Sequence, residues 1–151
     1  MQWAARRDCW QLLLCVAANA QTVRVLDALS AVTLCTVAPG AVSHACWLAR
    51  PPPDAPDAPC FAVCHDAGLI SIFSAHGAPC HVPMRLSHVP ILALTPDLAH
   101  AVDAAGRLLR VPGAACLLDD GVLMPSALVC TAQLVLLAKL HWVYAFEPTG
   151  Q

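Results

Sequence analysis

The stretch His65-Asp66-Ala67-Gly68-Leu69-Ile70-Ser71-Ile72-Phe73 decides how the chain is read. Asp103-Ala104-Ala105-Gly106-Arg107-Leu108-Leu109-Arg110-Val111 repeats its plan 38 residues later (103 − 65 = 38). Each begins with a small, Asp-containing turn that ends in Gly and runs into a short apolar segment. Gly takes positive φ without steric penalty and Asp can cap backbone amides, so both turns predict tight hairpins between strands.

Working outward, residues 60–64 and 98–102 supply the strand before each turn, and 43–48 and 89–94 the strand before that. Beyond the turns His76-Gly77 and Pro112-Gly113, residues 79–82 and 114–118 supply a fourth strand. The two ends of the chain fit the same cycle. Residues 10–16, 22–26 and 31–37 read as second, third and fourth strands, and 122–129, 133–137 and 142–146 as first, second and third. Asp27 opens the turn at 27–30, so the expected turn residues are Asp27, Asp66, Gly68, Asp103 and Gly106.

The third-strand positions Val25, Ile72, Arg110 and Tyr144 are separated by 47, 38 and 34 residues (72 − 25, 110 − 72, 144 − 110). These intervals bracket a period of about 40 residues. The longest contains Pro51-Pro52-Pro53-Asp54-Ala55-Pro56-Asp57-Ala58-Pro59, which cannot join a ladder and reads as a loop inserted at 51–59. Thirteen prolines leave few windows of helix length; residues 1–19 and 127–144, rich in Leu and Ala, are where helix competes with strand. The expected fold is all-β, with four-stranded antiparallel units at 8–38, 42–84, 88–119 and 121–151 in one domain.

Composition narrows the function. Apolar residues make up 58% and charged residues 12% of 151, which argues against disorder and for a surface that is covered in part. With 8 Lys and Arg against 10 Asp and Glu there is no positive field for a phosphate backbone, so nucleic acid is not an expected partner. Nine cysteines, an odd number scattered through apolar runs, read as buried thiols of a reducing compartment, cytoplasmic or nuclear. The alternative is secretion: Arg6 and Arg7 before the run 9–17, and Ala18-Asn19-Ala20, imitate a signal peptide over residues 1–20. A membrane span at 122–146 is disfavoured because Pro125, Gln133, Lys139 and His141 interrupt it.

The cycle resembles WD-type or quinoprotein-like β-propeller repeats over nearly the whole chain. Thr22-Val23-Arg24-Val25-Leu26-Asp27 and Leu69-Ile70-Ser71-Ile72-Phe73 look like third blade strands of such proteins, and Val143-Tyr144-Ala145-Phe146-Glu147-Pro148-Thr149-Gly150 is similar to a quinoprotein-type strand and turn. Where WD repeats close the third strand with Trp-Asp, this chain has Leu26-Asp27, Phe73-Ser74 and Val111-Pro112. The resemblance implies a partial β-propeller whose ring is closed by a protein partner or by the remaining blades of a longer chain. It also implies a non-catalytic protein-protein interaction scaffold, or else a propeller module of a larger enzyme.

No cofactor is expected: the seven glycines are dispersed turn residues, not a phosphate cradle. Cys60, Cys64, His76 and Cys80 are the candidate metal ligands, if the hairpin brings them together. His44 and Cys46, two apart on a strand and so on one face, are the pair to test as base and nucleophile. In the loop, Pro52, Asp54 and Asp57 are the candidate interaction residues, rigid and acidic. Trp47 and Trp142 are expected in the core.

Overall fold

A computed structural model describes residues 2–5, 11–16, 21–38, 40–53, 59–119, 125–130, 134–139 and 142–147. Among these every regular element is a β-strand, and all the pairing is antiparallel. The first sheet holds β1 (Gln2–Ala5), β2 (Gln11–Val16), β3 (Val23–Asp27) and β4 (Thr33–Val37), paired in chain order. The second holds β5 (Val42–Trp47), β6 (Cys60–His65), β7 (Leu69–Ser74) and β8 (Met84–Arg85). The third holds β9 (Ile91–Leu94), β10 (His100–Asp103), β11 (Leu108–Arg110) and β12 (Ala115–Leu118). The fourth holds β13 (Pro125–Cys130), β14 (Val135–Lys139) and β15 (Trp142–Phe146).

The sheets stack in chain order, and the same strands make each junction. β1 and β2 touch β5, β5 and β6 touch β9, and β9 and β10 touch β13. Period-two alternation explains how a middle sheet serves two neighbours. In Cys60-Phe61-Ala62-Val63-Cys64, all buried, Phe61 and Val63, beside Trp47 of β5, face Val23 and Val25 of the first sheet. Cys60, Ala62 and Cys64 face the third with Ile91, Leu94 and Ala101. Phe61, with no exposed surface, lies edge-on to Trp47 at 5.6 Å and stacks on Phe73 at 5.7 Å. Burying such a ring contributes about 2–3 kcal/mol. A third cluster joins Val102 and Leu108 of the third sheet to Leu137 of the fourth.

The third-strand positions Val25, Ile72, Arg110 and Tyr144 fall in β3, β7, β11 and β15. The hairpins at 65–68 and 103–106 match residue for residue. Gly68 N donates to His65 O at 2.9 Å with φ +72°, and Gly106 N donates to Asp103 O at 2.9 Å with φ +79°. The glycines are therefore equivalent, but the aspartates are not: Asp103 corresponds to His65, and Asp66 to Ala104. Asp66 N donates to Ala41 O at 3.2 Å where Ala104 N donates to Pro90 O at 2.8 Å. Side-chain capping is performed by Asp27, whose Oδ1 accepts from Leu29 N and Ser30 N at 2.8 and 3.0 Å, and by Asp103.

Three expectations are corrected. The first sheet begins at Gln2, ahead of residue 8, with a strand that the sequence reading did not assign. The fourth strand of the second sheet is Met84–Arg85 and not 79–82. Pro79, without an N–H, makes only an isolated bridge to Phe73; Cys80 N pairs with Ile72 O at 2.9 Å, and the exposed Val82 is followed by a second proline, Pro83. Trp142, expected in the core, is 68% exposed at the first position of β15, opposite Lys139 at the end of its ladder. Among the described residues no helix is long and apolar enough to cross a membrane.

A candidate binding cleft between the second and third sheets

The crossing from β8 to β9 is only residues 86–90, and its path is dictated by Gly68. Leu86 N and Ser87 N both donate to Gly68 O, at 2.9 and 3.3 Å. A Cβ at Gly68 would collide with the Ser87 carbonyl and stand 2.9 Å from Val89 O, so the crossing runs over the hairpin at a separation that only glycine permits.

Ser87 then fastens the crossing to the next hairpin. Its hydroxyl donates to Asp103 Oδ2 at 2.9 Å and accepts from Arg107 Nη2 at 3.1 Å and Val89 N at 3.2 Å. Asp103 is fully buried, and its lone pairs are well used. Oδ1 accepts from Ala105 N and Arg107 N at 3.1 and 3.0 Å, and Oδ2 accepts from Arg107 Nε and Nη2 at 3.0 and 2.7 Å. A buried carboxylate is tolerated when it is paired and hydrogen-bonded in this way. The carboxylate in turn raises the pKa of the Arg107 guanidinium above its ordinary value.

Beside this network lies a cleft of ≈ 270 Å³, lined by Arg85, Leu86, Ser87, His88, Arg107, Leu109, Ala114 and Cys116. Arg85 and His88 are exposed at its mouth, and Arg85 Nη1 is steered by the Ala67 carbonyl at 2.8 Å. Leu86 and Leu109 are buried and give it apolar walls. The arrangement suits an anionic or acidic-apolar group better than a reaction, since the Ser87 proton is committed to Asp103 and the exposed Cys116 thiol donates to Leu118 O at 3.4 Å. The sequence reading missed this cleft. The available signal was Arg107 four residues after Asp103, with Ser87-His88 in the segment before a first strand.

The proposed metal ligands do not converge. Cys60 and Cys64 lie four residues apart on β6, about 13 Å along an extended strand, and cannot share one ion. Cys60 Sγ does meet Cys80 Sγ, at 3.9 Å, while His76 is exposed at the next turn. Among the described residues no group of three or more His, Cys, Asp or Glu is placed to hold a metal.

His44 and Cys46 lie on β5, but burial pushes the Cys46 thiol up to about 12, the opposite of an activated nucleophile. Burial also lowers His44 from its ordinary value. Cys35, Cys46, Cys60, Cys64, Cys80 and Cys116 are all free thiols. Of the loop residues proposed for interaction, Pro52 is half-buried, and Asp54 and Asp57 lie outside the described residues.

No family model and no curated protein matches the sequence.

Proposed function

We propose that the chain is an arc of a β-propeller, WD-type or quinoprotein-like, that serves as a non-catalytic scaffold for protein partners. The observation that carries this reading is the threefold recurrence of one junction. Each sheet's first strand lies against the first two strands of the sheet before it. Sheets joined repeatedly through their first strands turn about a common side, as propeller blades do about an axis. The free thiols favour a reducing compartment, cytoplasmic or nuclear, for such a scaffold.

In this reading the crossings between sheets form the rim, and the cleft at 85–88 is a rim site for an acidic, partly apolar partner segment. Arg85 supplies the positive charge at the mouth and His88 a hydrogen-bonding imidazole, and the buried leucines supply the walls. A fluorescently labelled peptide of alternating Glu and Leu, titrated against the purified chain, tests the reading. Saturable binding is expected, weakened by salt and by Arg85→Ala or His88→Ala. Equal binding of a Lys-Leu peptide, or no effect of either substitution, would end it.

A further inference from the structure

Two free thiols meet at the edge of the core between the second and third sheets. Cys60 Sγ and Cys80 Sγ lie 3.9 Å apart, although the residues are twenty apart in the chain. Cys60 opens β6 and belongs to the buried cluster on that side, and Cys80, beyond β7, packs against the same cluster. The Cys80 N–H donates to Ile72 O at 2.9 Å.

The two sulfurs have different settings. Cys60 is 1% exposed, whereas Cys80 is half-buried, so a small oxidant from solvent reaches Cys80 first. Burial, and then Cys80 beside it, pushes the Cys60 thiol up to about 12. Cys60 therefore keeps its proton and donates it toward Cys80 Sγ, which leaves Cys80 as the sulfur free to ionise and attack. As a neutral thiol Cys80 donates to Ala78 O at 3.5 Å, a contact that it gives up on ionising. Cys46 also acts on Cys64, but both are buried, so neither offers an oxidant a way in.

We propose that Cys60 and Cys80 form a reversible dithiol–disulfide site, oxidised by a hydroperoxide through Cys80 and resolved by Cys60. This inference does not depend on the propeller reading. Closing the sulfurs from 3.9 Å to a bond of about 2.05 Å asks for a movement of about 2 Å. The Cys80 segment is built to supply it. It is tied to β7 by the Pro79 bridge and the Cys80 N–H, its residues His81, Val82 and Pro83 are exposed, and regular pairing resumes at Met84.

The chemistry balances with hydrogen peroxide as the oxidant. The Cys80 thiolate attacks one peroxide oxygen, the O–O bond breaks, and hydroxide leaves, taking up the proton that Cys80 shed on ionising. Cys80 is then a sulfenic acid. The Cys60 sulfur attacks it, the S–S bond forms, the S–O bond breaks, and the Cys60 proton departs with that oxygen as water. Two thiols and one peroxide give one disulfide and two waters, each sulfur losing one electron. A dithiol reductant restores both thiols by exchange. The bond would tie the start of β6 to the segment that leads into β8.

The test treats the reduced full chain with one equivalent of hydrogen peroxide, blocks the remaining thiols with iodoacetamide, and maps chymotryptic peptides by mass. Cuts after Phe61 and Phe73 place Cys60, Cys64 and Cys80 on separate peptides. A Cys60–Cys80 link is expected, forming about tenfold faster than Cys116 is oxidised and lost on adding dithiothreitol. The oxidised chain should melt about 5 °C higher than the reduced one.

Cys60→Ser should leave a sulfenic acid at Cys80 that dimedone traps, and Cys80→Ser should leave Cys60 unoxidised. Mapping of the unaltered chain decides the matter even where a variant fails to fold. No link between the two, a link of either to another cysteine first, or a Cys80 that stops at the sulfenic acid while Cys60 stays reduced would overturn the inference.

Discussion

Arg107 Nη2 stands 2.7 Å from Asp103 Oδ2, with the carboxylate wholly buried and the arginine side chain one-third exposed. The pair does more than close a hairpin, because Ser87 from the preceding crossing hydrogen-bonds to both partners. Removing the acid strands a guanidinium and a hydroxyl. Asp103→Ala is expected to cost about 3 kcal/mol, and Ser87→Ala about 1 kcal/mol, by urea denaturation. The double variant should cost less than the sum, since the two share one network.

Two glycines with positive φ separate strain from collision. Gly113 has φ +104° with nothing within 4 Å of an added Cβ, whereas Gly68 has φ +72° and two backbone carbonyls in the way. Gly113→Ala should cost about 1 kcal/mol, the strain of a left-handed conformation. Gly68→Ala should cost about 2 kcal/mol more, because the crossing at 86–90 must move. Thermal denaturation of the two variants side by side decides it.

Stability should fall on mild acidification. His100 is buried, with no hydrogen-bond partner for Nδ1 among the described residues, and burial lowers its pKa from the ordinary value of about 6.5. Asp97 pulls it back up in part, and Arg110 pushes it further down. The unfolded chain therefore binds the proton more readily than the folded one. The contribution is fully present above pH about 6.5 and is lost as pH falls toward the lowered folded value. His44, also lowered by burial, acts in the same direction. The melting temperature should drop between pH 7.5 and 5.5, and His100→Asn should shrink that drop.

Thiol accessibility should grade by position. Cys116 is exposed, whereas Cys46 and Cys64 are buried, the first with its thiol pushed up to about 12 and the second raised well above its ordinary value by burial and by Cys46. Iodoacetamide at pH 8 followed by peptide mapping should label Cys116 in the native protein and leave Cys46 and Cys64 unlabelled until denaturant is added. Labelling of Cys46 at the rate of Cys116 would contradict the packing of β5 between two sheets.

The sequence was legible where chemistry is local. Glycines at 68 and 106 end hairpins that need positive φ, and Phe61 and Val63 alternate with Cys60, Ala62 and Cys64 on a strand with two dry faces. It was illegible where the outcome depends on residues far apart. Gln2-Trp3-Ala4-Ala5 has no alternation to mark it, and it becomes β1 by pairing with Gln11–Val16. The fourth strand of the second sheet moved to Met84–Arg85 because its hydrogen bonds come from Leu69 and Ile70. The cleft was hidden because Ser87 meets Asp103 across sixteen residues, and no local pattern records that meeting.

The stacking in chain order, each sheet against the one before it, gives the molecule the thermodynamics of a short linear array. Coupling runs between nearest neighbours, so the second and third sheets, each clamped on both sides, should be the last to open. Amide deuterium uptake would then be slowest in β6, β7 and β10 and rise toward both ends of the stack, fraying inward one sheet at a time.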